Sequence, residues 1–229
     1  MKFNELFPLQ VVINLDKRPD RLKLCMEEEF PLIKTHPIRK SGILFGKTNN
    51  KWWNGAIGCM ISHYEILNAA ALLNTNVFIF EDDIFFIGGE NYIIYKNLND
   101  TCQELEKKDW DMLYIGGNIL KPFHQVSPHL AKLTHCQSTV AYGVNKKFVR
   151  DLLKYIDLTH IDRPIDMIYA DTVIPNHNCY ISVPMLAIQR DSFSDIEGGE
   201  IKYSEYLERR YNENFVPLAP QGENSPLTK

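Results

Sequence analysis

No segment of this chain approaches the roughly 20 apolar residues that a helix needs to cross a bilayer, and residues 1–10, with Glu5 and Pro8, hold no long apolar stretch of a secretory signal. Positive charge is not in excess. The net charge is −4, which gives no electrostatic footprint for general nucleic-acid or membrane binding. There is no CxxC pair, and the five cysteines (Cys25, Cys59, Cys102, Cys136 and Cys179) are odd in number. A disulfide framework is therefore not expected, and a reducing, cytoplasmic setting suits the chain, with peripheral contact at a membrane surface left open. No Gly-rich phosphate loop or dinucleotide turn is present. The histidines and cysteine at His124, His129, His135 and Cys136 match no familiar zinc spacing.

What is present is enough apolar material for a core: 45% hydrophobic residues against 24% charged over 229 residues. Val11–Leu15 reads as a buried strand, followed by a polar turn and a helix over 21–30 that Pro31 ends. Residues 41–54, with Trp52 and Trp53, read as a long loop, and 55–73 as an amphipathic helix. Further strands are expected at 77–80, 84–87, 112–115, 138–144 and 179–183, with helices at 91–107, 146–155, 165–174 and 204–211. Residues 121–135 read as irregular and 215–229 as a loose tail. Short strands alternating with helices predict an α/β sandwich with a mostly parallel sheet, residues 1–196 as the main domain and 197–229 as its extension. Ligands in such sheets bind beyond the carboxyl ends of the strands.

Two polar clusters fall at such ends. Glu81-Asp82-Asp83 follows the apolar strand 77–80. In an extended chain Glu81 and Asp83 share one side, where two carboxylates can hold a hard divalent cation against a diphosphate. The alternative is a solvated, capped acidic turn. Asn14 to Arg21 carries a strand into a helix start rich in cations, suited to an anion or, more plainly, an ordinary charged helix start. Gly55 and Gly58 open the next helix and imply close backbone approach. Ser62 and His63 beside each other point about 100° apart, a poor nucleophile–base pair and as readily a satisfied polar pair. Asp166 is a helix cap or a base, and Trp52 and Trp53 either stack on a sugar or anchor their loop.

Taken in order, these segments resemble glycosyltransferase family 25, which includes bacterial lipooligosaccharide and collagen galactosyltransferases. The matching pieces are 12–21, Gly55-x-x-Gly58-Cys59-x-x-Ser62-His63, Phe78 to Asp83, Trp110 to Gly116, Ala141 to Val144, Pro164 to Asp166 and Gln189 to Ile196. The resemblance implies a GT-A fold, a UDP-sugar donor of galactose or glucose, Mn²⁺ or Mg²⁺, and inverting transfer to a hydroxyl of a glycan, lipid-linked glycan or protein. It further implies that Asn14, Arg18, Arg21, Ser62, His63, Glu81, Asp82 and Gln189 face the nucleotide sugar. By the same resemblance Asp83 and Asp195 face the metal, and Asp166 is the catalytic base. A catalytically inactive binding module of the same fold is the alternative, with a nucleotidyltransferase behind it.

Overall fold

The computed structural model describes residues 1–194 and 199–219. The strands are β1 (Leu9–Asn14), β2 (Ile38–Ser41), β3 (Val77–Glu81), β4 (Ile84–Phe86), β5 (Met112–Tyr114), β6 (Phe123–Ser127), β7 (Leu130–Lys132), β8 (Ala141–Val144), β9 (Cys179–Ser182), β10 (Ala187–Gln189), β11 (Ser192–Ser194), β12 (Gly199–Ile201) and β13 (Phe215–Val216). Nine of them form one sheet in the order β13-β6-β7-β9-β5-β8-β3-β1-β2. The sheet is mixed, which corrects the mostly parallel expectation. β1 lies parallel to β2 and β3, β5 to β9, and β13 to β6, while β8 runs antiparallel between β3 and β5. β7 is antiparallel to both its neighbours. The α/β class itself holds.

The helices are α1 (Phe3–Leu6), α2 (Pro19–Leu24), α3 (Phe30–Leu32), α4 (Lys51–Leu73), α5 (Asn91–Leu105), α6 (Val149–Leu153), α7 (Ile165–Ile168) and α8 (Ser204–Asn214). Both faces of the sheet are covered, and the central strands show why their sequences are continuously apolar. In β3, Val77 and Ile79 join a core with α4, α6 and α8, while Phe78 and Phe80 join a second core with α1, α3 and α5. Phe78 meets Phe3 edge-on at 5.0 Å and Phe7 at 5.0 Å. α4 is long and apolar enough for a membrane span by length and composition, which corrects the expectation that no segment is; Met60, Ile66, Leu67 and Ala70 of this helix pack into the first core.

Several boundaries differ from the sequence reading for identifiable reasons. The helix at 19–32 is not ended by Pro31. A wide turn at Cys25–Glu29 closes with the Phe30 N–H donating to the Cys25 carbonyl, and Pro31 begins the next turn, where its missing N–H costs nothing. α4 begins at Lys51, since the Asn50 side chain accepts from the Trp53 N–H at 3.0 Å and caps the helix. Both tryptophans are therefore helical. Residues 123–132, expected to be irregular, form the β6–β7 hairpin with Pro128 in its turn. The expected helix at 204–211 is α8, whose Leu207 and Tyr211 enter the core, and the start of the expected loose tail is strand, with Phe215 pairing with Phe123 in register.

Candidate functional site

The sheet register gathers the polar clusters. Ile13 pairs with Glu81 and Asn14 with Ser41, so β1, β2 and β3 end together. β8 starts at the same end, bringing Ser138 and Thr139 beside Glu81, whose N–H donates to the Val140 carbonyl at 2.9 Å. The starts of α4, α7 and α8 surround this end and leave a cleft of ≈ 610 Å³, within the usual size for a small-molecule site, about 300–1,000 Å³.

The acidic triplet forms the floor. It is not extended: the chain leaves the main sheet at Glu81, turns through Asp82 and Asp83, and returns as β4 to pair with β10. The turn gives each carboxylate its own environment. Asp82 accepts from the Asn14 amide at 2.7 Å and from Arg21 Nη1 at 3.0 Å. Burial still holds its carboxyl above the usual range, against the opposing Arg21 charge. Burial also disfavours ionised Glu81, but hydrogen bonds from His63 (Nε2, 3.2 Å) and Thr139 (Oγ1, 2.5 Å) outweigh it and hold that carboxyl low. Asp83 lies on the other side of the balance. Burial and the Glu81 charge push it up to about 7, Arg21 Nη1 stands 3.8 Å from its Oδ2, and its Oδ1 is buried with no hydrogen-bond partner among the described residues.

Arg21, Ser62, His63, Glu81, Asp82, Asp83, Asp166 and Gln189 all line the cleft. Asn14 lies beneath them, fully buried, with its amide on Asp82 and its oxygen accepting from Arg39 Nε at 3.0 Å. Arg18 stands aside from the lining and pairs with Asp20 at 3.0 Å. Ser62 holds the wall together: its hydroxyl donates to the Gly58 carbonyl at 2.7 Å and accepts from the Ile43 N–H at 2.9 Å. Gly58 permits that approach. The Asp166 carboxylate accepts from the Ser138 and Met167 N–H groups at 3.2 and 2.9 Å, and burial raises its pKa. Gln189, beside Asp83, receives the Ser138 hydroxyl at 3.3 Å. Asp195 lies outside the described residues.

One lining residue carries no distinctive sequence signal. Thr139 looks like any strand residue until β8 sets it beside Glu81. Lys17, Cys59 and the aromatic Tyr203 and Tyr206 also face the cleft. Trp52 lines it and stacks on Trp53, rings 5.8 Å apart and 16° from parallel. As a cation site, the acidic turn offers a hard divalent ion one buried, unpartnered oxygen, that of Asp83, while both Asp82 oxygens are taken by Asn14 and Arg21.

The family model of glycosyltransferase family 25 (LPS biosynthesis protein) matches residues 46–169. Among curated relatives, the human protein named "Inactive glycosyltransferase 25 family member 3" is 27% identical over 179 residues, 66% of this chain and 29% of the relative. Its Bos taurus counterpart, "Probable inactive glycosyltransferase 25 family member 3", is 27% identical over 181 residues, 67% of this chain and 29% of its own length. The chain thus spans less than a third of these relatives. Among solved structures, it is similar to a glycosyltransferase involved in glycosylation of the major capsid of PBCV-1, with TM-score 0.39 and 11% identity over 89% of this chain and 99% of that one. It is also similar to A197 from STIV, with TM-score 0.42 and 9% identity over 80% and 93%. The family match runs from the loop before α4 through the acidic turn to the Asp166 wall, more than half of the sequence, and the chain belongs to glycosyltransferase family 25.

Proposed function

We propose that this protein is an inverting glycosyltransferase that moves a hexose, galactose or glucose, from a UDP-sugar to a hydroxyl of a glycan, lipid-linked glycan or protein acceptor, assisted by Mn²⁺ or Mg²⁺. The observation that carries the reading is Asp83: a buried carboxylate with an unpartnered oxygen, on a turn that opens into a cleft of small-molecule size. A divalent cation bound there supplies positive charge against the leaving diphosphate. Asp83, with an oxygen of Glu81, would hold it, while Asp82 stays on Asn14 and Arg21. Arg21 is fixed by Asp82 and by Ser192 Oγ at 2.8 Å, so its charge is pre-positioned at the cleft edge for phosphate. Asp166, on the facing wall, has its carboxyl raised by burial, which makes it the better proton acceptor when ionised. In direct displacement at the anomeric carbon, that carboxylate takes the acceptor hydroxyl's proton as the sugar–oxygen bond forms and UDP departs.

The test is calorimetric titration with UDP, with and without Mn²⁺, followed by turnover of UDP-galactose and UDP-glucose. Mn²⁺-dependent UDP binding that Asp83→Asn removes, with hydrolysis of one donor, is expected. Binding of equal strength in the variant would take Asp83 out of the site. One observation favours a second reading: the curated relatives above are named inactive. A nucleotide- or glycan-binding module of this fold would bind UDP and turn over no donor.

A further inference from the structure

In the wall of the cleft lies a second set of ligand atoms, softer than the acidic turn. Cys59 and His63 are four residues apart on α4, so the thiol and the imidazole project from one helix face. Glu81 reaches the same point from the end of β3. The sulfur, a ring nitrogen and a carboxylate oxygen all lie within 4.8 Å of one another. We propose that Cys59, His63 and Glu81 form a binding site for a soft divalent cation of the Zn²⁺ class, distinct from the hard-cation site at Asp83.

The donor set has the composition of a three-ligand zinc site with its fourth position toward the cleft. His63 Nε2 and Glu81 Oε1 already stand 3.2 Å apart, close to the separation of about 3.5 Å between neighbouring ligands at ordinary zinc bond lengths. The remaining closure, on the order of 1 Å for the sulfur, is within reach of a side-chain torsion at Cys59. The outer shell is also built. His63 Nδ1 meets the Tyr142 hydroxyl at 2.9 Å, and that hydroxyl meets Tyr169 Oη at 3.4 Å. A hydroxyl donates or accepts, so this chain steadies the ring and lets Nδ1 carry the proton that leaves Nε2 free to coordinate. The Thr139 hydroxyl donates to the same Glu81 oxygen, Oε1, that meets His63, and so holds the carboxylate in place. His63 has no solvent exposure, so its ring orientation is set by these partners.

Glu81 is shared between the two sites. If the donor reading above holds, Zn²⁺ in this site draws Glu81 away from the nucleotide pocket and weakens UDP binding. The site itself does not depend on that reading.

The experiment is titration of the purified chain with Co²⁺ alone, followed by near-ultraviolet absorption. A thiolate-to-cobalt charge-transfer band saturating at one equivalent is expected, discharged by Zn²⁺. The band identifies Cys59, since Cys25, Cys102, Cys136 and Cys179 are all buried in the two cores. Cys59→Ser, nearly the same size, should abolish it and weaken Co²⁺ binding more than about tenfold. Asp83→Asn should leave it in place. No band in the wild-type chain, or a band that survives Cys59→Ser, overturns the proposal. A loss of UDP binding in the donor assays leaves this result unaffected, so the two failures are told apart.

Discussion

At Gly58 a β-carbon would stand 2.2 Å from the Ile43 carbonyl oxygen, closer than real contacts come. The atom in the way is backbone, so the loop must move. Gly58→Ala is expected to cost roughly 1–3 kcal/mol, lowering Tm by roughly 3–10 °C for a chain of this size. It should also weaken UDP binding, because the displaced segment, with Leu44 and Phe45, is cleft wall. Thermal denaturation and calorimetry check it, and unchanged values in both would mean that the wall yields freely. Two glycines opening a helix already announced close approach in the sequence, but what approached was out of reach: Ile43 is 15 positions upstream, and nothing local encodes the contact. The same holds for Ser62. Side-by-side geometry with His63 argued against a nucleophile pair, and the structure puts its hydroxyl to work tying Ile43 to Gly58. His63 turns the other way, to Glu81 and Tyr142.

At the scale of elements, periodicity identified strands and long helices, because burial on one or two faces writes itself into the sequence. It failed where chemistry at the ends decides. The start of α4 is the clearest case: apolar spacing begins at 55, yet the helix starts at Lys51 on the Asn50 cap. This moves Trp52 from a loop to the first turn of a helix at the cleft, 37% exposed. A ring on a capped helix is a firmer platform for a sugar or base than one on a loop. Trp52→Ala should therefore raise KM for donor or acceptor several-fold while Tm stays near wild type, since so exposed a ring adds little to the core. Steady-state kinetics with a melting curve check this; unchanged KM would leave Trp52 as a lid over its neighbour Trp53. The β6–β7 hairpin was illegible for a different reason. Burial alternates along β6 but polarity does not, since Gln125 and Ser127 point inward with Phe123 while Val126 is exposed, and its neighbour β13 comes from a distant tail.

At the scale of the molecule, the site is a consequence of strand order. β1, β2 and β3 are parallel neighbours, so their carboxyl ends must meet, and the antiparallel β8 must begin there. The sequence revealed the two polar clusters at strand ends but not that Asn14 would lie 2.7 Å from Asp82, across 68 positions. Nor did it show that Asp166 would face them from α7. That facing arrangement separates the two functional readings. A ligand that binds the native chain alone, at 100 times its Kd, adds about 2.7 kcal/mol of stability. With Mn²⁺ and saturating UDP, Tm should rise by roughly 5–10 °C. An active transferase and an inactive module share that rise. They part at Asp166→Asn, which keeps the size of the side chain and removes its charge. In a transferase the variant keeps the thermal shift and loses about 10²–10⁴-fold in kcat. If the wild-type chain shows the shift with no turnover on any donor, the inactive module stands. If the variant loses the shift as well, Asp166 holds the nucleotide, and the base belongs to another carboxylate.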